Sequence, residues 1–359
     1  MNMNNKNWVS VWGNAVSIAE HHPEAYAKYI TLRYPVYIPF AGDTLRFTFD
    51  NYCGSEAVTV TRATVSAATS PVYEKMPLAC PCKKETICDI TFSKNESVTM
   101  EAHQTAVSDP VSFPVKKGMT LTVSLYFADF TLMQSAVLVT GPLSKGFFSL
   151  GDQTHADALP MDTTKTTNWF YFLSNIELMT AEENHTVICY GDSITAGAWP
   201  DYLTLLARQN PDNHTAFIRR ATSGSRVLRQ YECITYDSYG LKGTNRFPHE
   251  IPTTGADTVI IQQGINDIIH PVGIETNPFR PMSDLPTAKE LIDGYRYYIE
   301  EAKKLHLKVY MGTLLPIFGW RTYATFRDDL RNELNAWIRS AKEIDGCIDF
   351  DLALRGNEN

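Results

Sequence analysis

The spacing of the apolar residues changes near residue 185 of this 359-residue chain, and no single regular architecture suits both halves. Before that point, DTLRFTFDNY (43–52) and MTLTVSLYF (119–127) alternate apolar and polar residues. Period two marks a half-buried antiparallel strand, because successive side chains point to opposite faces. Pro and Gly punctuate this half in FAGD, SDPVSFPVKKG and TGPLSKG, where they set turns. Many short strands joined by turns predict a β-sandwich or jelly roll. Beyond residue 185, TVICYG, TAFIRRA, TVIIQQG, KVYMGTLLP and GCIDFD are short apolar runs. Between them lie helical stretches, WPDYLTLLARQ, AKELIDGYRYYIEEAKKL and RDDLRNELNAWIRSAKEI. In the second stretch Leu291, Tyr295, Tyr298, Ile299 and Ala302 recur at the spacing of one helix face. Strands alternating with helices predict an α/β domain whose parallel sheet is covered on both faces. The polar stretch TAEENHT is the expected junction, giving a β-sandwich over 1–180 and an α/β domain over 181–359.

Composition narrows the partners. The net charge is −8, and no long Lys/Arg run is present, which argues against nucleic acid or an anionic membrane as a partner. No apolar run reaches the ~18 residues of a membrane span. The opening MNMNNKNWVSVWGN lacks the apolar core of a signal peptide, so a cytoplasmic protein is expected. Seven scattered cysteines suit reduced thiols better than a disulfide framework. The cluster CPCKKETIC lacks paired C-x2-C halves and a fourth ligand, so no metal is expected there.

The residues with chemistry all follow predicted strands. Ser193 follows VICY, Gly224 lies in RRATSGSRVL after AFI, and Asn266 lies in QQGINDI after TVII. In a parallel sheet these loops open at one edge, where such sheets bind ligands. A serine at a strand-to-helix turn is exposed to attack a carbonyl, and the helix N-terminus favours developing negative charge. The resulting oxyanion needs fixed donors. A backbone N–H beside a glycine and an Asn amide are such donors. Without chemistry, Ser193 is a helix N-cap, Gly224 a turn glycine, and Asn266 with Asp267 a loop capping the next helix.

GDSITAG, TSGS and GIND, in that order, resemble the blocks of the SGNH (GDSL) hydrolase superfamily. WVSVWGNA, TLRY, VSDPVSFPV and IDFDLALR resemble segments of two-domain members with an N-terminal β-sandwich. The resemblance implies a flavodoxin-like three-layer α/β hydrolase domain. It also implies Ser193 as nucleophile, Gly224 and Asn266 as oxyanion donors, and hydrolysis of carboxylic esters, often acyl groups on carbohydrates, without metal or organic cofactor. Asp192 and Asp267 are expected to brace the loops rather than react.

The resemblance also implies a last block, Asp-x-x-His, carrying the general base that a serine needs. Here GCIDFD is followed by LALRGNEN and no such block. We therefore expect a chain truncated before the block and impaired in turnover. Supply of the His by a neighbouring subunit and a non-catalytic carbohydrate-binding relative are the rival explanations. Without a closing helix, Ile348 or Phe350 would lie exposed and favour a homodimer. DIIH makes His270 a substitute base or a polar loop residue; His249 and His306 are weaker candidates. The aromatic loops YECITYDSYGLKGTNRFPHE and PIFGWRTYATF would wall the pocket. Trp320 is a candidate to stack on a sugar ring, and Arg226 to meet an anionic substrate or a local carboxylate.

Overall fold

The computed structural model describes residues 6–19 and 26–355. Two antiparallel sheets face each other in the first half. One orders the strands Lys6–Gly13, Leu173–Ala181, Gly42–Asp50 and Thr105–Val107, with Val111–Val115 also paired to Gly42–Asp50. The other orders Lys165–Thr167, Gly146–Leu150, Ile30–Tyr37, Thr120–Phe127, Arg62–Ala67 and Cys88–Ile90. Leu45, Phe47 and Phe49 alternate into a common core with Val36, Leu121 and Val123, as period two requires.

One strand departs from that pattern. Thr120–Phe127 is buried along its whole length, although its alternation predicts a wet face. Its polar residues are inside because they are satisfied. The Thr122 hydroxyl pairs with Ser66 at 2.6 Å, and Ser124 Oγ accepts from Arg33 Nε at 2.9 Å. The same guanidinium donates to the carbonyls of Cys80, Gln153 and Ala156, so a connecting segment covers that face. All seven cysteines are free. Among the described residues no cluster of His, Cys, Asp and Glu is arranged to hold a metal ion.

The second half is a five-stranded parallel sheet in the spatial order Thr215–Ala221, His185–Gly191, Ala256–Gln262, Lys308–Gly312, Gly346–Ile348. The order reverses between the first and third strands in sequence, and the crevice beyond their carboxyl ends is where such sheets take ligands. Helices α1 (Ser193–Ala196), α2 (Trp199–Arg208), α3 (Gly243–Glu250), α4 (Ile265–Ile269), α5 (Ala288–Lys304), α6 (Thr325–Ser340) and α7 (Phe350–Leu354) alternate with the strands. Helix α5 opens with a capping box between Thr287 and Glu290. It buries Leu291, Tyr295, Tyr298, Ile299 and Ala302, the face its spacing predicts. Helix α3 lies inside what the sequence presents as an aromatic loop. Pro248, which removes a backbone donor, sits within this eight-residue helix and hides it. Ile348 and Phe350 are half-buried rather than exposed, with the Phe350 ring 5.9 Å from that of Trp199.

Two consecutive arginines at the end of Thr215–Ala221 join the halves. Arg219 donates to the carbonyls of Thr195 and Gly197, to Asp201 Oδ1 at 2.7 Å, and to Ser144 Oγ on the β-sandwich side at 3.0 Å. Arg220 donates to the carbonyls of Asn14 and Ser174 at 2.6 and 2.8 Å, to Asn175 Oδ1, and to the Glu250 carbonyl. Both are buried. Ala196, Ala216 and Ala221 of the α/β unit are continuous with the sandwich core.

Candidate active site

Ser193 is the first residue of α1, directly beyond the strand His185–Gly191. Asp192 caps the helix, its Oδ1 accepting from Ile194 N–H at 3.0 Å. The Ser193 side chain is exposed, and no described residue hydrogen-bonds its hydroxyl. Neither the Ser193 N–H nor the Gly224 N–H has an acceptor among the described residues. Gly224 has φ +79°, and a Cβ there would overlap the Tyr239 ring, so only glycine brings this amide so close to the tyrosine.

Asn266, in α4, is buried. One of its amide hydrogens is committed to the Ser225 carbonyl at 3.0 Å, which orients the group and leaves its other N–H to serve a ligand. The preceding loop is pinned by α5. Tyr295 donates to the Gln263 carbonyl and Tyr298 to Gln263 Oε1, each at 2.8 Å. Gln263 in turn donates to Ser225 Oγ at 2.9 Å. Thus two tyrosines on the buried face of α5 fix the loops carrying Gly224 and Asn266 relative to each other.

Asp267 accepts from the backbone N–H groups of Val227 and Leu228 at 2.8 and 3.1 Å. Burial pushes its carboxyl up to about 6, and that of Asp192 up to about 7. Asp192 Oδ2 is buried with no hydrogen-bond partner among the described residues. Each aspartate therefore stands beneath a loop and holds its backbone.

Ser193, Gly224, Asn266, His270, Arg280 and Trp320 line one cleft of about 410 Å³. His270 is 7 % exposed, and its Nδ1 shares a hydrogen bond with the Tyr231 hydroxyl at 3.2 Å. Burial pushes the imidazole down to about 3, with Arg280, Arg226 and Arg321 adding to the effect. No described carboxylate bonds its ring, whereas a serine-activating His relies on one. The ring is neutral at pH 7 and a poor proton acceptor. Arg226, the sequence candidate for substrate contact, lies outside the cleft lining. It is buried, ion-paired with Asp284 at 3.1 Å and stacked 4.3 Å from the Tyr231 ring, so of the two roles the sequence allowed it takes the local carboxylate. Trp320 is about half exposed at the rim.

Three lining residues gave no sequence signal of their own: Tyr239, Arg280 and Arg321. Tyr239 is one of several aromatics in a long loop. Arg280 sits in NPFRPM, where neither spacing nor a neighbouring motif distinguishes it.

A strand–serine–helix turn, two backbone N–H groups without an acceptor among the described residues and an oriented Asn amide around one cleft are parts that an acyl-transfer site uses. Residues 189–359 match the model of the GDSL-like lipase/acylhydrolase family. That match covers the C-terminal unit, and an antiparallel β-rich unit precedes it. Solved structures similar to the chain include a GDSL-like lipase from Bacteroides thetaiotaomicron VPI-5482, at 19% identity and TM-score 0.35 over 49% of this chain and 73% of that one. Another is a member of the lipolytic G-D-S-L family from Veillonella parvula DSM 2008, at 18% identity and TM-score 0.32 over 47% of this chain and 80% of that one. No curated protein matches the chain.

Proposed function

We propose that the chain is a serine esterase. In this reading the Ser193 hydroxyl attacks a carboxylic ester, and the N–H groups of Ser193 and Gly224 with the Asn266 amide receive the oxyanion. The observation that carries the reading is the Ser193 hydroxyl, exposed and unbonded among the described residues, in one cleft with those unengaged donors. The proposed substrates are O-acyl, chiefly acetyl, groups on carbohydrates, with Trp320 at the rim as the stacking surface. Proposed too is that His270 is not the base, because its burial and neighbouring arginines oppose a proton. With the described residues alone, turnover should then be slow, the base coming from elsewhere in the protein or from a second copy.

A fluorophosphonate probe tests the reading. It should label the protein at Ser193 and fail on Ser193→Ala, which should also lose ester turnover while keeping its fold. The poor base favours one rival, a carbohydrate-binding relative with no activated serine. An unlabelled, correctly folded protein that binds acetylated sugars would establish that rival instead.

A further inference from the structure

The chain buries several arginines, and all but one are engaged by strong acceptors. Arg219, Arg226, Arg246 and Arg331 pair with Asp201, Asp284, Glu250 and Asp351. Arg33, Arg220 and Arg327 donate to backbone carbonyls. Arg280 is 8 % exposed, yet among the described residues it has neither a carboxylate nor a carbonyl for its guanidinium. Its Nε has no partner, and Nη2 reaches only the Tyr239 hydroxyl, at 3.4 Å. Aromatic rings hold it in place: the guanidinium lies 4.3 Å from the Tyr236 ring, with Tyr231 and Tyr239 at 5.7 and 5.9 Å. Arg321, exposed and 5.4 Å from the Trp320 ring, stands on the same cleft. No Asp or Glu lines that cleft, although the chain as a whole carries a net charge of −8.

We propose that the cleft binds a carboxylate on its substrate, with Arg280 as the buried receptor and Arg321 as a second cation at the rim. A buried cation without an anion is costly, and a ligand carboxylate relieves that cost. The free Nε and the neighbouring Nη of a planar guanidinium form the fork that a carboxylate fits with two parallel bonds. Stacking fixes the plane of that fork before the ligand arrives. As a statement about substrate, an acyl ester of a carboxylated sugar, the proposal rests on the esterase reading. As a statement about binding, it does not.

The test uses benzoate and its neutral isostere benzamide as probes, titrated into the full chain by calorimetry or ligand-observed NMR. Benzoate should bind more tightly than benzamide and weaken as salt is raised. Arg280→Gln should weaken benzoate by roughly tenfold or more, the scale of a lost charged hydrogen bond, and leave benzamide unchanged. Arg321→Gln, at an exposed site, should have a smaller effect in the same direction. Equal binding of the two probes to the parent protein would overturn the proposal, and that comparison needs no variant to fold. An unchanged benzoate affinity in a folded Arg280→Gln would overturn it as well. Phenyl phosphate or benzenesulfonate binding tighter than benzoate would overturn the assignment to a carboxylate. The fluorophosphonate experiment keeps the two readings apart: benzoate binding without labelling of Ser193 removes the esterase and leaves the anion site, and the reverse does the opposite.

Discussion

On the proposed reading, Asn266 is held ready for one task. Its amide would be free to rotate if both hydrogens faced the cleft, but the bond to the Ser225 carbonyl fixes it, so little reorganisation is needed when charge appears on the substrate. Asn266→Ala should therefore lower kcat by about 100-fold and leave KM nearly unchanged, since an oxyanion donor acts mainly in the transition state. Steady-state kinetics on a p-nitrophenyl ester distinguish the outcomes. A rise in KM at constant kcat would make Asn266 a ground-state contact. At this scale the sequence pointed to the shared placement of Ser193, Gly224 and Asn266 around one cleft, because each stands in a short motif after an apolar strand. It was uninformative for Arg280, whose seat depends on rings at Tyr231, Tyr236 and Tyr239, 41 to 49 residues away in sequence. It left Arg226 open between a substrate and Asp284, because an ion pair formed across 58 residues leaves no local trace.

Helix α5 was readable because five buried positions share one face. Its apolar stripe hides a polar function that periodicity does not report, since the hydroxyls of Tyr295 and Tyr298 hold the loop at Gln263. Helix α3 was not readable because proline is a helix breaker in most contexts and the segment is short. The wet face expected of Thr120–Phe127 failed for a third reason: alternation records which residues are polar, not whether another segment covers them. The contact between α5 and the loop yields a prediction at Gly264. Its φ is +126°, and a Cβ there would overlap the Tyr295 hydroxyl. Gly264→Ala should cost roughly 1–3 kcal/mol in backbone strain alone, read as a lower urea midpoint. Adding Tyr295→Phe should recover little, because the strain remains when the overlap is eased. An unchanged midpoint for Gly264→Ala would show that the loop relaxes freely.

The β-sandwich and the α/β unit meet through buried polar bonds as well as apolar contact. From the α/β unit, Arg220 reaches the Asn14 and Ser174 carbonyls and Asn175 Oδ1 across that junction, while its Nε holds the Glu250 carbonyl on its own side. Arg220→Met would leave the Asn14 carbonyl and Asn175 Oδ1 buried without a donor among the described residues, at about 1–3 kcal/mol each. The parent chain should unfold in one transition, with tryptophan fluorescence and far-UV circular dichroism coincident. In Arg220→Met the midpoint should fall and the two probes should separate. Coincident probes with an unshifted midpoint would show that apolar contact suffices.

Arg219 gives this junction a further meaning. Through it, Ser144 of the β-sandwich side and the Thr195 and Gly197 carbonyls, in and just after the helix that begins at Ser193, share one guanidinium. The α/β unit is thus not a portable module with a detachable accessory. An engineer who cuts it between residues 181 and 185, or grafts a different sandwich ahead of the α/β unit, removes part of the scaffold that aims the serine.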